Sequence, residues 1–362
     1  MSHQPLRIID ANLNRSSEGL RVLEDIARFL LNDIELHQRL RTLRHDLAQE
    51  TKSLSVGLLS QRDSEHDVGK PLSSTERKLA METTSLQGLL DLVKANAKRV
   101  EESLRVIEEL AKLPEINPML NSARFGQTRF ALYSLERDLI SRISRQDKIE
   151  RMCGLYVILD RQFLAGRNEL DVAGQIIEGG ARIIQLRDKQ SKRRELLPVA
   201  QKLRELCSQA DVLFIINDYL DLAMAVDADG LHVGQEDLPL SVILRELPID
   251  RIVGCSVTTI SQAIKAQAEG TDYIAVGSIF PTATKDGATV VGVNMLKELK
   301  RTISTPLVAI GGINQNNIGE VVSAGAHAVA VISAVLGEKD IKGAVQKLIV
   351  KIDSATEKCQ DR

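Results

Sequence analysis

The chain is poor in the side chains that bind bases and membranes. Tryptophan is absent and aromatic residues make up only 3% of the sequence, so stacking platforms for nucleic-acid bases are not expected. The 47 basic and 49 acidic residues give a net charge of -2, which provides no global attraction to nucleic acid or to an anionic membrane surface. Any anionic ligand must therefore be bound locally, by a few well-placed groups.

Cysteine and long apolar runs are also scarce. Cys153, Cys207, Cys255 and Cys359 lie far apart, without the C-x-x-C spacing of metal or redox sites, and reduced thiols are therefore expected. No apolar run approaches the roughly 18 residues that a membrane span needs, and the first 20 residues lack the apolar core of a signal peptide. The sequence predicts a cytoplasmic protein with no membrane partner.

An internal repeat organises the first 145 residues. Residues 11–29 and 95–113 align without gaps, and residues 42–47 are echoed by residues 134–139. Each copy has apolar positions at helical spacing, so the repeat unit is predicted to be a pair of helices and residues 1–145 an all-α bundle. The predicted buried positions are Leu20, Leu23, Ile26, Ala27 and Leu30 in the first copy and Leu104, Ile107, Leu110 and Ala111 in the second.

Polar residues also recur in both copies of the repeat. Each copy carries an Asn-Arg-Glu trio spaced by three residues, and such a trio drifts along one helical face. The trios are Asn12, Arg15 and Glu18, and Asn96, Arg99 and Glu102. Two interpretations stay open, a solvated salt-bridged face or a pseudo-symmetric polar site between the helix pairs. The charged stretch at residues 61–71 is likewise either a linker or a functional lid.

The pattern changes after residues 141–152, which have a polar linker composition. Eight short apolar strands alternate with amphipathic helices, near residues 154–160, 181–188, 211–218, 230–234, 251–257, 273–280, 306–312 and 328–335. Eight such units in about 200 residues predict a TIM (β/α)8 barrel, with a doubly wound sheet as the alternative. The overall fold class is thus α/β, with the barrel at residues 146–362.

The second predicted strand ends in polar side chains at alternating positions. Gln185, Arg187 and Lys189 should point the same way, since side chains of a strand alternate between its two faces. If that face looks into the mouth of the barrel, two cations and an amide can hold a phosphorylated anion. The alternative is a solvated strand end.

Other strand ends carry further candidates. Asp218 and Asp237 follow strands 3 and 4 and are hard oxygen ligands suited to Mg²⁺, although either alone could cap a helix. Gly311-Gly312 after strand 7 and Ile332-Ser333 after strand 8 occupy loops that bind phosphate in many barrels. His232 on strand 4 is better explained as a packed barrel histidine than as a general base.

Together these motifs resemble the thiamine-phosphate synthase family. The matching stretches between residues 154 and 336 are VILDR, QLRDK, IINDYLDLA, ADGLHVGQEDLP, VGCSVTT, YIAVGSIFPTATKDG, VAIGGINQNN and AVAVISAVL. The resemblance implies a transferase that joins 4-amino-5-hydroxymethyl-2-methylpyrimidine pyrophosphate to a thiazole phosphate and releases pyrophosphate, with Mg²⁺ as cofactor. Asp188 stands within QLRDK where many relatives have Glu, and it should point away from the mouth.

The resemblance also implies roles for individual residues. Ser256, Lys285 and Arg187 would be catalytic, and Asp218 and Asp237 would hold Mg²⁺. The pyrimidine pyrophosphate would bind in the region of Gln185, Arg187, Asp188, Lys189, Asn217, Ser256 and Lys285. The thiazole phosphate would contact Thr282, Ala283, Thr284, Gly312, Ile332 and Ser333.

The N-terminal half resembles the helical domain fused to such synthases, of the hydroxymethylpyrimidine-phosphate kinase type. The matching stretches are NRSSEGLRVLEDIARF, RDSEHDVGK and KRVEESLRVIEE. The resemblance implies that ATP is a substrate there, although no P-loop motif occurs. The alternative is a thiazole tautomerase-like barrel with a non-catalytic N-terminal docking module. The sequence leaves open whether the chain forms a homo-oligomer.

Overall fold

A computed structural model describes residues 4–52, 58, 86–282, 284, 287 and 289–360. The chain divides into two compact units, Met1–Gln146 and Asp147–Arg362, which we call the helical unit and the barrel unit. The charged stretch at residues 61–71 lies outside the described residues. Among the helices that the structure describes, none has the length and apolar character needed to cross a membrane.

The helical unit contains the two helix pairs that the repeat predicts. The first helix of each pair carries the repeated stretch, and its partner helix follows. The helices are α1 (Gln4–Asp25), α2 (Ile34–Glu50), α3 (Leu86–Leu110) and α4 (Ser122–Glu150). Helix α1 packs closely on α3, because a Cβ atom on Gly19 would lie 2.6 Å from the Val100 side chain. The predicted all-α architecture is therefore confirmed.

One predicted core position is wrong. Leu20, Leu23, Ile26 and Ala27 are buried as expected, but Leu30 is 56% exposed. The reason is a π-helical segment, Ile26–Leu30, after α1, where the amide of Leu31 bonds to the carbonyl of Ile26. Each π turn takes in an extra residue, so the apolar face shifts by one position and Leu31 is buried instead.

The barrel unit is a closed barrel of eight parallel strands in sequential order, each pairing with the next and β8 with β1. The strands are β1 (Gly154–Asp160), β2 (Ile183–Arg187), β3 (Leu213–Asn217), β4 (Gly230–Val233), β5 (Ile252–Val257), β6 (Tyr273–Val276), β7 (Leu307–Ile310) and β8 (Ala328–Val331). The helices are α5 (Glu169–Glu178), α6 (Arg193–Gln209), α7 (Leu220–Ala225), α8 (Leu240–Glu246), α9 (Ile260–Glu269), α10 (Gly292–Thr302), α11 (Ile318–Ser323), α12 (Ser333–Leu336) and α13 (Ile341–Gln360). The predicted TIM barrel is confirmed, with several strands shorter than predicted.

Alternation along the strands separates two apolar clusters. Outward side chains such as Leu186 pack against the helices, whereas inward ones such as Ile183 fill the barrel. Tyr156 and Tyr273 are the largest inward residues, and both are almost fully buried. Gly254 makes room for Tyr273, because a Cβ atom there would lie 2.0 Å from the Tyr273 ring. The interior therefore combines an apolar core with two tyrosine hydroxyl groups.

Candidate active site

The carboxyl end of β2 presents the polar face that the sequence predicts. Gln185 is buried and donates to the hydroxyl of Tyr156 inside the barrel, and Arg187 follows on the same face. The Arg187 guanidinium donates to the carboxylate of Asp160 at the end of β1. Strand register places Asp160 directly opposite Arg187, and this carboxylate is fully buried. Asp160 therefore holds the guanidinium at the mouth of the barrel.

Asp188 points to the loop after β2 rather than to the face that carries Arg187. Its carboxylate accepts from the amides of Gln190 and Ser191 at 2.8 and 2.9 Å and from Arg161 at 2.9 Å. Burial would raise the pKa of Asp188, but the hydrogen bonds from Ser191, Gln190 and Arg161 outweigh it and hold the pKa at about 2. These contacts fix the loop that carries Lys189.

Asp188→Asn is therefore expected to lower stability by about 1–3 kcal/mol at neutral pH, since it removes a buried charged acceptor. A depressed pKa stabilises the fold above the unfolded value of about 4, and this contribution is lost as the pH falls towards 2. Urea unfolding at about pH 7 and about pH 3 measures the difference, with exposed Asp353→Asn as the control. A pH-independent difference between Asp188→Asn and wild type would contradict the assignment.

Two carboxylates meet at the ends of β3 and β4. The side chains of Asp218 and Asp237 lie within hydrogen-bonding reach of each other, and the Lys189 ammonium lies 3.3 Å from Asp218. Asp237 also accepts from the amide of Gly234 at 2.7 Å. Burial and the facing Asp237 raise the pKa of Asp218, while Lys189 opposes the shift. The pair is a partly buried concentration of negative charge with one cation beside it.

Ser256 lies near the carboxyl end of β5, beside β4. Its hydroxyl is 2.9 Å from Nε2 of His232, and its carbonyl accepts from Gln235 at 2.7 Å. His232 is buried and stacks on Tyr273 with ring centroids 5.5 Å apart, as expected for a packed barrel histidine. Asn217, also buried, pairs in register with His232. The structure therefore brings Asn217 and Ser256 to the same edge of the barrel.

The loops after β6, β7 and β8 carry the residues predicted to bind a second phosphate. The hydroxyl groups of Thr282 and Thr284 lie 3.0 Å apart. Gly312 has a φ of 66°, and a Cβ atom there would lie 2.4 Å from the carbonyl of Pro281, so only glycine fits. Ile332 is half-buried and Ser333 exposed. The predicted site residues Ala283 and Lys285 lie outside the described residues.

The repeated polar trios of the helical unit divide into buried and exposed members. Asn12 and Asn96 are buried, and each donates to the carbonyl four residues earlier, Ile8 or Leu92. The other four residues are exposed, namely Arg15, Glu18, Arg99 and Glu102. The two asparagines therefore serve the helix packing, and only the Arg and Glu positions are accessible to a ligand.

A glutamate at the same position of each repeat copy forms an ion pair that the sequence alone does not identify, with arginines at positions that are not equivalent. Glu24 on α1 pairs with Arg44 at 2.7 Å, and Glu108 on α3 pairs with Arg129 at 3.3 Å. Glu24 and Glu108 are identical positions of the repeat. The recurrence of this glutamate at the same position in both copies could have indicated that it forms a specific contact.

The barrel likewise holds polar residues that sequence reasoning missed. Asp160, Tyr156 and Tyr273 contact predicted site residues or their partners, yet the sequence analysis gave none of them a role. Tyr156 and Asp160 lie on the same face of β1, four residues apart, with an inward isoleucine between them. A polar residue on an otherwise apolar inward face could have indicated a role for both Tyr156 and Asp160.

Family models and curated relatives match both units of the chain. A family model described as thiamine monophosphate synthase matches residues 155–335, and a model described as the ThiD2 family matches residues 7–138. A thiamine-phosphate synthase from Synechocystis sp. is 38% identical over 96% of each chain. One from Methanospirillum hungatei is 45% identical over 54% of this chain and 95% of its own.

A solved structure supports the same assignment for the barrel. The thiamine phosphate pyrophosphorylase from Pyrococcus furiosus superposes with a TM-score of 0.54 at 38% identity, covering 57% of this chain and 98% of its own. The relatives thus include both a protein that matches nearly the whole of this chain and one that matches about half of it. On the family model and the relatives of full length, the chain belongs to the thiamine-phosphate synthase family.

Proposed function

We propose that the barrel unit joins 4-amino-5-hydroxymethyl-2-methylpyrimidine pyrophosphate to a thiazole phosphate, giving thiamine phosphate and pyrophosphate. One observation carries the proposal. Arg187, Lys189 and the facing carboxylates of Asp218 and Asp237 meet at the carboxyl ends of adjacent strands. Barrel enzymes place their active sites at this end, and this set of charges suits a diphosphate with a divalent cation.

The donor set fits Mg²⁺. Two partly buried carboxylates that face each other repel, and a divalent cation between them relieves that repulsion. Mg²⁺ is usually held by one or two carboxylates and keeps several waters and substrate oxygens. Asp218 and Asp237 would hold the ion, which when bound supplies positive charge to the diphosphate oxygens.

The reaction needs charge stabilisation more than a base. The bond between the methylene carbon and the diphosphate oxygen breaks, and the electron pair leaves with pyrophosphate. Arg187, Lys189 and Lys285 stabilise the departing oxygens, while the amino group of the pyrimidine stabilises the carbocation. The thiazole nitrogen then donates its lone pair to that carbon without losing a proton. Because the addition releases no proton, no catalytic base is required. Burial lowers the pKa of His232 to about 4, so this residue is neutral.

The loops after β6, β7 and β8 would hold the thiazole phosphate. Thr282, Thr284 and Ser333 offer hydroxyl groups, and Gly312 allows the backbone to approach an anion closely. The Asn317 amide donates to the Gly312 carbonyl at 3.0 Å and fixes that loop. Binding the second substrate through its phosphate would place its ring nitrogen toward the pyrimidine methylene.

Product analysis of the full chain with Mg²⁺ tests the barrel. Supplied with both substrates, it should form thiamine phosphate and pyrophosphate in equal amounts. The alternative, a thiazole tautomerase, would change only the thiazole phosphate and would not need Lys189, Asp218, Asp237 and Lys285 together. Tautomerisation of the thiazole phosphate without any pyrophosphate release would favour that alternative.

We further propose that the helical unit phosphorylates the pyrimidine monophosphate with ATP, which would supply the substrate of the barrel. The match of residues 7–138 to the ThiD2 family and the repeated exposed arginines support this role. Arg15 and Arg99 lie at equivalent positions of the repeat, and an exposed guanidinium is suited to bidentate bonds with a phosphate. The alternative is a docking module without activity.

Changing Arg15 or Arg99 to Ala should abolish phosphorylation of the pyrimidine monophosphate while leaving synthase activity on supplied pyrimidine pyrophosphate intact. An exposed Arg contributes under about 1 kcal/mol to stability, so neither variant should unfold. The assay follows ADP formation, with exposed Arg41→Ala on α2 as the control. Full kinase activity in both variants would assign these arginines to a solvated face.

The cytoplasmic location predicted from the sequence is also part of this proposal. Cys153, Cys207 and Cys255 are all unpaired, and two of them are buried. Oxidising compartments favour disulfides, whereas thiols in the cytoplasm are kept reduced. We therefore place the enzyme in the cytoplasm.

A further inference from the structure

A chain of buried hydrogen bonds crosses the barrel between two predicted substrate residues. Gln185 Nε2 lies 2.7 Å from the Tyr156 hydroxyl, which lies 3.2 Å from the Tyr273 hydroxyl. The Tyr273 hydroxyl lies 3.0 Å from Nδ1 of His232, whose Nε2 lies 2.9 Å from the Ser256 hydroxyl. The five residues come from β2, β1, β6, β4 and β5. We call this series the polar chain.

The three inner members of the polar chain are neutral. Burial raises the pKa of Tyr156 and of Tyr273, so both keep their protons. His232 is buried and both of its ring nitrogens contact hydroxyl groups rather than a carboxylate, so the neutral ring with one proton is favoured. Each inner member therefore has a single polar proton to donate. All three residues are buried, so an inner member that did not donate its proton to a neighbour in the chain would leave a buried donor without a hydrogen bond.

The Gln185 end sets the direction in which these protons point. Its amide nitrogen donates to Tyr156. Tyr156 can then use its own proton along the chain only by donating to Tyr273, which lies 3.2 Å away, and Tyr273 only by donating to Nδ1 of His232, which lies 3.0 Å away. His232 then carries its proton on Nε2 and donates it to the Ser256 hydroxyl. The proton of Ser256 is left free for a ligand, as is the carbonyl oxygen of Gln185.

We propose that Tyr156, Tyr273 and His232 are positioning residues that fix Ser256 as a hydrogen-bond donor and Gln185 as a carbonyl acceptor toward the substrate. This inference rests on the proposed function of the barrel. A donor at Ser256 suits a departing phosphate oxygen, which can only accept. An acceptor at Gln185 suits the amino group of the pyrimidine. The opposite direction would present lone pairs to the oxyanion and weaken the site.

Two tyrosine variants separate the ends of the polar chain. In Tyr273→Phe the ring remains but His232 loses its partner, and kcat should fall roughly tenfold or more, with KM for the thiazole phosphate unchanged. In Tyr156→Phe, Gln185 loses its partner while Tyr273 still contacts His232, so KM for the pyrimidine pyrophosphate should rise more than kcat falls. Tyr133→Phe, the same change in the helical unit, is the control and should leave synthase kinetics unaltered.

The protonation of His232 gives a readout that does not depend on turnover. In the full chain labelled with ¹⁵N-histidine, the two ring nitrogens of His232 have distinct chemical shifts, assigned by their loss in His232→Gln. The proposal expects the proton on Nε2 in wild type and a mixture of tautomers in Tyr273→Phe. A proton on Nδ1 in wild type, or an unchanged tautomer together with unchanged kcat in Tyr273→Phe, would overturn it. If wild type shows the Nε2 tautomer but forms no thiamine phosphate, the proposed function fails and the direction of the chain stands.

Discussion

Replacing Arg187 by Ala is expected to lower kcat for thiamine phosphate formation by roughly a hundredfold or more. The guanidinium is held at the mouth by the buried carboxylate of Asp160, so it meets the departing pyrophosphate without prior rearrangement. Such a preorganised cation acts most strongly as charge develops on the leaving oxygens. Steady-state kinetics with saturating substrates and Mg²⁺ measure the effect.

The control must separate catalysis from folding, because Arg187→Ala leaves the Asp160 carboxylate buried without its partner. That loss costs on the order of 3–5 kcal/mol in comparable buried pairs. The double variant with Asp160→Asn removes the stranded charge, so it should recover melting temperature but not kcat. Recovery of both would show that Arg187 acts through the fold rather than on pyrophosphate.

Replacing Asp237 by Asn is expected to raise the Mg²⁺ concentration needed for half-maximal activity by roughly tenfold or more. High Mg²⁺ should then restore part of the activity of the variant. Asparagine can still accept the hydrogen bond from the amide of Gly234, so the loop keeps its conformation while the ligand charge is lost. The facing Asp218 keeps its carboxylate. Activity measured across a Mg²⁺ titration checks the prediction.

Glu236→Gln is the matched control for Asp237→Asn, since Glu236 is exposed next to Asp237 and loses the same charge. It should show the Mg²⁺ dependence of wild type. If Asp237→Asn melts several degrees lower and its activity does not respond to Mg²⁺, the carboxylate serves the fold and the metal assignment is wrong.

The inward face of β2 could be predicted from the sequence because strand geometry decides it. Side chains alternate along a strand, so once a barrel is recognised, Gln185 and Arg187 must share one face. The eight strands were recognisable for the same reason, as short apolar runs between amphipathic helices. The sequence therefore predicts the orientation of side chains whose position depends only on the strand that carries them.

Contacts between strands could not be predicted in this way. Asp160 lies opposite Arg187, and Tyr273 opposite Gly254, only because of the register of neighbouring strands. That register depends on packing inside the barrel, which a single sequence does not display. The polar chain likewise needs five strands at once. For this reason His232 was identified as buried, but its contact with Ser256 was not foreseen.

In the helical unit, a fixed helical period likewise could not predict every buried position. The pattern predicted Leu30 in the core, but the π-helical segment Ile26–Leu30 moves the apolar face by one residue. A pattern of fixed period cannot register one extra residue in a turn. The repeat nevertheless predicted both helix pairs, because identical residues at equivalent positions require equivalent surroundings.

The coupling of the two units is tested most directly when the full chain is supplied with ATP, the pyrimidine monophosphate, the thiazole phosphate and Mg²⁺, but not with pyrimidine pyrophosphate. If the helical unit makes the substrate and the barrel uses it, ADP, pyrophosphate and thiamine phosphate should form in equal amounts, as measured by chromatography and mass spectrometry. Thiamine phosphate that forms only when pyrimidine pyrophosphate is added would contradict the role of the helical unit. No thiamine phosphate under either condition would contradict the function proposed for the barrel.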